Sequence, residues 1–102
     1  MEDAQRRVAE FVDDHDLDAP PAFRLLDLVS ELGELAKDAT VSTDYGGDPD
    51  ALALSEDELG DAIFALLALA DSTDTDASAA LDAALAKYEE RLAETGGAGS
   101  GE

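Results

Sequence analysis

Two pairs of acidic residues in the sequence have a spacing that can support chemistry. Glu31 and Glu34 are three residues apart, and so are Glu58 and Asp61. Residues three apart project from one face of a helix, so each pair would present two carboxylates together. If the two helices pack antiparallel, the four carboxylates converge. Because Mg²⁺ prefers oxygen ligands and commonly bridges to substrate phosphates, the pattern predicts a Mg²⁺ site, with Mn²⁺ as an alternative ion.

Simpler explanations exist for three of these four acids. Glu31 and Glu34 lie in a strongly acidic stretch, where a solvated helix face would have the same composition. Glu58 follows Ser55 by three residues, which is the capping-box pattern of a helix start. Asp61 is harder to explain in this way, because it lies one turn inside the helix and directly precedes an uninterrupted apolar run.

The second acidic pair shares a side of its helix with apolar residues. At about 100° per residue, Glu58 and Asp61 fall in one sector with Ala65, Ala68 and Leu69. The acids therefore extend a surface that the rest of the helix is expected to bury. A buried carboxylate needs a partner, so this sector predicts a cation or a hydrogen-bond donor nearby.

Cations are so rare in this chain that each one is informative, with 6 lysines and arginines against 26 acidic residues. Lys87 and Arg91 are spaced i, i+4, where they can bind phosphate oxygens beside a metal ion or pair with neighbouring glutamates. Lys37 follows an acidic residue by three positions, which suits either a phosphate ligand or an intrahelical ion pair. Arg24 lies two turns before Glu31 on nearly the same helix face, so its side chain can lie beside that of Glu31.

The other chemically capable side chains do not define a second site. His15 lies in the acidic stretch VDDHDLD, where a capping role at a helix end is expected. Tyr45 precedes two glycines and is interpreted as part of a turn, with a base-binding lid as the alternative. The sequence has no cysteine, no nucleophile beside a base, no GK[ST] loop and no GxGxxG. Covalent catalysis and P-loop chemistry are therefore unsupported.

The net charge of -20 excludes nucleic acid and anionic membranes as expected partners, because both would be repelled. No apolar run approaches the roughly 18 residues of a membrane span, so we expect a cytoplasmic protein. Aspartate outnumbers glutamate and lysine is nearly absent, which is the halophilic composition of a cytoplasm held at high salt. We therefore expect the fold to depend on salt, since ions screen its self-repulsion.

Helical periodicity places these residues in an all-α domain spanning residues 1–95, followed by a flexible Gly/Ser tail at 96–102. Asp18, Ser55 and Asp76 are the predicted N-caps of the second, third and fourth helices. A loop of roughly fifteen residues separates the second helix from the third, which is long enough to suggest function. The predicted helices cover about Glu2–Asp14, Pro20–Ala39, Glu56–Asp71 and the segment after Asp76.

The apolar residues predict how the helices pack. The second helix has one wide apolar face, made of Leu25, Leu28, Val29, Leu32, Leu35 and Ala36. The third helix is so apolar that it is expected to be central, and Gly33 and Gly60 are expected to allow close helix approach. A domain this small has a marginal core, so we expect a second chain to complete the bundle.

Three segments together resemble the MazG-like nucleoside triphosphate pyrophosphohydrolases of the all-α NTP pyrophosphatase superfamily. They are SELGEL, EDELGDAIFALLALAD and DASAALDAALAKYEERL, and the resemblance covers about 25–92. The family pattern is Glu-x-x-Glu followed by Glu-x-x-Asp, carried here by Glu31, Glu34, Glu58 and Asp61. Many members have a further acid where this chain has Ser30, and a common asparagine near the last helix's lysine is absent.

The resemblance implies hydrolysis between the α and β phosphates of a nucleoside triphosphate, giving a nucleoside monophosphate and pyrophosphate. It implies Mg²⁺ held by the four acids and a homodimer or homotetramer. From the chemistry of water activation we expect Glu31 or Glu34 to be the general base. Lys87 and Arg91 match the family's basic positions, which implies a phosphate role. Two alternatives are a related phosphoribosyl-ATP, dUTP or dCTP pyrophosphohydrolase, and a non-catalytic acidic helical dimer or regulatory module.

Overall fold

A computed structural model describes residues 1–95, and the predicted tail at 96–102 lies outside the described residues. The described part of the chain is all-helical, as predicted, and contains no β-strand. Its four α-helices are α1 (Glu2–Asp14), α2 (Pro21–Ser42), α3 (Glu56–Ser72) and α4 (Ala77–Thr95), and a short 3₁₀ helix (Pro49–Ala51) precedes α3.

Two of the three predicted helix caps are confirmed. The Ser55 hydroxyl accepts a hydrogen bond from the Glu58 N–H at 3.3 Å and so caps α3. Asp76 Oδ1 accepts the N–H groups of Ser78 at 2.9 Å and Ala79 at 3.2 Å at the start of α4. These bonds satisfy amides that would otherwise lack an intrahelical partner.

The predicted cap of α2 is wrong. Pro20, rather than Asp18, occupies the N-cap position, and no side chain caps this helix. The Pro20 carbonyl accepts the N–H groups of Phe23 and Arg24, so the helix begins two residues later than an Asp18 cap requires. Pro21 at the first helical position has no N–H to satisfy, which reduces the need for a cap.

The connection after α2 is shorter than predicted, because the helix continues to Ser42. A tight turn follows, in which Asp44, Tyr45 and Gly46 all have positive φ, at 51°, 57° and 89°. The Thr43 hydroxyl supports it by accepting the Gly46 N–H at 3.1 Å and donating to the Ala39 carbonyl at 2.6 Å. The prediction of a turn at Tyr45 is thus confirmed, and this side chain is 82% exposed.

Helix α3 is central in the described chain, as predicted, because both α1 and α2 pack against it. Four of the five buried apolar residues belong to α3, and Leu67 is the most deeply buried at 1% exposure. The small size of the others brings the helices close together. The buried apolar residues are Val12, Ala62, Ala65, Leu67 and Ala68.

Helix α2 packs with a different face from the one the apolar pattern predicts. Leu28, Glu31, Leu35 and Asp38 are half-buried toward the rest of the chain. At 100° per residue, the centre of this packed face is rotated by roughly 80° from the centre of the predicted apolar face. Much of the apolar face is consequently exposed, including Leu25, Val29 and Leu32.

Helix α4 is the least packed helix and has no buried residue. Its position depends on Gln5 of α1, whose side-chain amide donates to the Thr75 carbonyl at 2.7 Å and accepts the Ala77 N–H at 2.8 Å. The same α1 helix contacts α3 through an edge-to-face pair of Phe11 and Phe64, with centroids 5.9 Å apart. Gln5 therefore connects the start of α4 to the packed part of the chain.

Candidate functional site

The predicted acids meet across the interface between α2 and α3. Glu31 of α2 and Asp61 of α3 line one cavity. Further along, Asp38 of α2 approaches Glu58 of α3, and Glu34 is close enough to act on Glu58 electrostatically. Residue 31 meets residue 61 while residue 38 meets residue 58, so the helices run antiparallel, which is the arrangement the carboxylate prediction required.

Glu58 of α3 interacts with another carboxylate, that of Asp38 on α2. Its pKa is raised above the ordinary value of 4.5, first by a hydrogen bond with Asp38, then by desolvation, and then by the charges of Asp38, Glu34 and Asp57. The Oε2 atom of Glu58 and the Oδ2 atom of Asp38 are buried and receive no hydrogen bond from the described residues. A hydrogen bond between two carboxyl groups needs a proton on one of them, which agrees with the raised pKa of Glu58.

The position of Glu58 bears on its interpretation as a capping residue. Ser55 does accept the Glu58 N–H, but within the described chain the Glu58 carboxylate makes no return bond to the Ser55 N–H. The capping box is therefore only half formed. The Glu58 side chain lies against α2 instead, on the acidic side of the interface.

The carboxylates fit Mg²⁺ in their chemistry but approach one another in pairs. Among residues 1–95, no group of three or more histidine or acidic side chains is close enough to hold a metal ion. Their carboxylate oxygens are nonetheless of the type that Mg²⁺ prefers, and one of them, Glu58 Oε2, is buried without a hydrogen-bond donor among the described residues. The residues that would hold the ion are Glu31, Glu34, Glu58 and Asp61.

Arg24 lies beside the acids, as the sequence suggested. It is only 8% exposed, and its Nη2 donates to the Leu17 carbonyl in the connection before α2. The cavity that it shares with the predicted ligands has a volume of ≈ 310 Å³ and is lined by Arg24, Asp27, Glu31, Asp61, Phe64 and Ala65.

The other predicted phosphate ligands lie elsewhere. Lys87 and Arg91 are on α4, whose strongest packing is against α1 rather than against α2, and Lys87 lies 5.1 Å from the Tyr88 ring centroid. Among residues 1–95, the ion pairs within 4 Å are those of Arg6 alone. Lys37 and the two α4 cations are therefore not held in the intrahelical ion pairs that were their alternative explanation.

Two further sequence expectations have clear outcomes. A Cβ atom added at Gly33 or Gly60 would meet nothing within 4 Å in the described chain, so the prediction of close helix approach at these glycines is wrong. His15 is the C-cap residue of α1, as expected, with its ring 4.4 Å from that of Phe11.

Asp38 is the functional candidate that the sequence reasoning missed. It belongs to the acidic stretch of α2 that also suits a solvated helix face, although its i, i+7 spacing from Glu31 places both residues on one helix face. Both residues are half-buried. That spacing was the available signal, and it is weak in a sequence with so many acids.

A second cavity adjoins the acidic one on the α1 side of α3. It has a volume of ≈ 540 Å³ and is mostly apolar, with Arg7 and Asp61 as its charged residues. Asp61 and Phe64 line both cavities. Asp61 thus separates an apolar space from a charged one.

Comparisons of the chain with known protein families, curated proteins and solved structures found no match. Within residues 1–95, no helix has both the length and the apolar character needed to cross a membrane. The function is therefore inferred from the residues of the α2–α3 interface.

Proposed function

We propose that this protein is a Mg²⁺-dependent nucleoside triphosphate pyrophosphohydrolase, a hydrolase that cleaves the α–β phosphoanhydride to give a nucleoside monophosphate and pyrophosphate. The observation that supports it is the pairing of carboxylates from two antiparallel helices, with Glu31 and Asp61 in one cavity. Carboxylates placed in this way would attract a cation, and nucleoside triphosphates bind to enzymes together with Mg²⁺. The motif resemblance supports the same reaction.

Glu31, Glu34, Glu58 and Asp61 are the residues that would hold Mg²⁺. When bound, the ion neutralises phosphate oxygens and polarises the reacting phosphorus centre. Asp38 lies close enough to Glu58 to orient that side chain, as its hydrogen-bond partner in the raised-pKa pair. Oriented carboxylates of this kind commonly support the residues that bind a metal directly.

The general base in this proposal is Glu31 or Glu34. A carboxylate at either position accepts a proton from the attacking water while the new bond forms to phosphorus and the anhydride bond breaks. Glu31 is half-buried and lines the acidic cavity with Arg24, whereas Glu34 is exposed, does not line that cavity, and acts electrostatically on Glu58. Lys37, Lys87 and Arg91 are the proposed phosphate ligands outside this cavity.

The proposed active form is a homodimer or homotetramer. Three helices present apolar faces to solvent, and the chain exposes 7152 Å², whereas a compact domain of 10.6 kDa would expose about 5,500 Å². A second copy of the chain would cover these faces and bring a second α4, with its cations, to the assembly. The exposed residues include Leu25, Val29, Leu32, Leu59, Ile63, Leu66, Leu81, Leu85 and Leu92.

Two other functions are compatible with the same fold. The absence of a ready three-acid metal group among residues 1–95 favours a non-catalytic acidic helical dimer or regulatory module. A related phosphoribosyl-ATP, dUTP or dCTP pyrophosphohydrolase would use the same acids on another substrate. For each of these functions, the net charge of -20 favours a protein that binds neither nucleic acid nor anionic membrane. The halophilic composition supports a cytoplasmic location.

The test is release of pyrophosphate from ribo- and deoxyribonucleoside triphosphates in molar KCl with Mg²⁺, compared with the same reaction in EDTA. Asp61→Asn should abolish turnover without unfolding the chain. Asp82→Asn, on an exposed part of α4, removes the same charge and should retain activity. The ranking of substrates distinguishes the related pyrophosphohydrolases. No release from folded protein would favour the non-catalytic dimer.

A further inference from the structure

Arg24 combines three properties that a surface arginine lacks. It is more than nine-tenths buried, it is anchored by the Leu17 carbonyl, and it borders the cavity that contains Glu31 and Asp61. Burial of a guanidinium is costly unless its donors are satisfied. The role of Arg24 therefore depends on what its other N–H donors bind.

The donors of Arg24 are only partly used. A guanidinium carries five N–H groups, and the bond to Leu17 is the one that this side chain makes within the described residues. No carboxylate among residues 1–95 lies within 4 Å of it, although Asp27, Glu31 and Asp61 line the same cavity. None of its nitrogens is buried without a partner among the described residues, so the unused donors are accessible to solvent, and the residue lines the cavity.

We infer that Arg24 binds a phosphate group of the substrate in this cavity, with two N–H groups donating to two phosphate oxygens. A guanidinium is planar and matches phosphate in this bidentate way, whereas lysine acts as a point charge. The inference rests on the proposed function. Arg24 places a positive charge beside the acids, whereas Lys87 and Arg91 of the same chain pack elsewhere. Arg24 is thereby a binding residue for the pyrophosphate part of the substrate.

The charges of the cavity determine when this site can work. Three carboxylates share the cavity with one arginine, so an anion alone is repelled. A divalent cation on the acids removes that repulsion and leaves the arginine donors available. Phosphate binding at Arg24 should therefore require Mg²⁺, and by linkage pyrophosphate should tighten Mg²⁺ binding by the same factor.

A structural role is the competing explanation, because the bond to Leu17 also fastens the α1–α2 connection to α2. The two roles differ in what a lysine can replace. Lysine at position 24 keeps the positive charge and can still donate to a carbonyl, but it lacks the planar pair of donors. A phosphate-binding role thus predicts lost affinity in a variant that stays folded.

The experiment is calorimetric titration of inorganic pyrophosphate into wild type, Arg24→Lys, Arg24→Gln and Arg6→Gln, in molar KCl with and without Mg²⁺. Arg6 is the matched control, because it is exposed and its partners are Asp3 and Glu10. Arg24→Gln should weaken pyrophosphate binding on the order of 10- to 100-fold, the value of a charged hydrogen-bond pair. Arg24→Lys should lie between, and Arg6→Gln should match wild type.

Thermal unfolding of each variant separates binding from folding. Wild-type pyrophosphate affinity in folded Arg24→Lys, or no Mg²⁺-dependent binding by wild type, would overturn the inference. If wild type cleaves no nucleotide but binds pyrophosphate through Arg24, the proposed function fails and the phosphate site remains. If wild type is active and Arg24→Gln keeps its KM and affinity, the site fails and the function remains.

Discussion

Asp38 of α2 and Glu58 of α3 face each other across the helix interface, each with one carboxylate oxygen buried and without a donor. The hydrogen bond with Asp38 raises the pKa of Glu58, and desolvation and the neighbouring carboxylate charges raise it further. Metal binding nearby would relieve the same repulsion. A proton or a cation at this pair would reduce the repulsion between the two carboxylates.

The raised pKa predicts a stability change with pH. Folded Glu58 holds its proton more tightly than unfolded Glu58, so stability from this group falls as pH rises from near 4.5 through the raised folded pKa. Glu58→Gln removes the effect. In molar KCl with EDTA, its Tm should exceed that of wild type at pH 7, and the difference should shrink toward pH 4.5.

Glu90→Gln is the control for this pH series, because it removes the same charge from an exposed position on α4. The difference in Tm between Glu90→Gln and wild type should not shrink from pH 7 toward pH 4.5 as the difference for Glu58→Gln does. A Tm difference between Glu58→Gln and wild type that stays constant from pH 4.5 to 7 would contradict the carboxyl pair.

Val29→Asp tests the outward apolar face of α2. Val29 is 58% exposed in the single chain, so aspartate should barely affect an isolated monomer. In a dimer that covers this face, the new charge is buried without a partner and should cost about 3 kcal/mol or more, over 100-fold in association. Light scattering coupled to size exclusion in molar KCl measures the outcome.

Val41→Asp makes the matching control for association. Val41 is 65% exposed on the same helix but lies about 120° away from Val29 around its axis. It should leave the oligomeric state unchanged. Equal masses for Val29→Asp and wild type would show that this face is not an interface.

Gln5→Ala tests how α4 is held. The variant loses both the bond to the Thr75 carbonyl and the bond from the Ala77 N–H, and it should lower the free energy of unfolding by about 1–2 kcal/mol. Gln5→Glu keeps an acceptor at the α4 N-terminus but loses the donor, so it should be less destabilised. Chemical denaturation in molar KCl measures both, and unchanged stability of Gln5→Ala would contradict this role.

The sequence predicted the helices well because local signals determine them. Ser55 and Asp76 cap α3 and α4 through bonds that span two or three residues, so their sequence context was sufficient. The cap of α2 was mispredicted because Asp18 has the right residue type, whereas the two prolines after it set the backbone. Proline geometry outweighed side-chain preference here.

The site was predicted less completely, because helix rotation is a tertiary property. The apolar pattern of α2 did not show that Glu31 and Asp38 would face α3 while Val29 faced outward. Once α2 takes that rotation, Arg24 and Glu31 share a cavity with Asp61. A single sequence does not distinguish a face that covers its own core from one that covers a second chain.

Because α4 is held near its N-terminus, a small rotation there would produce a large displacement at its C-terminal end. Its 19 residues extend about 28 Å, and Arg91 lies about 21 Å along the axis from Ala77. A rotation of about 10° where Gln5 holds the helix would displace the far end by about 5 Å. The two hydrogen bonds of Gln5 at the start of α4 therefore influence where Lys87 and Arg91 lie, about two to three turns or more further along the helix.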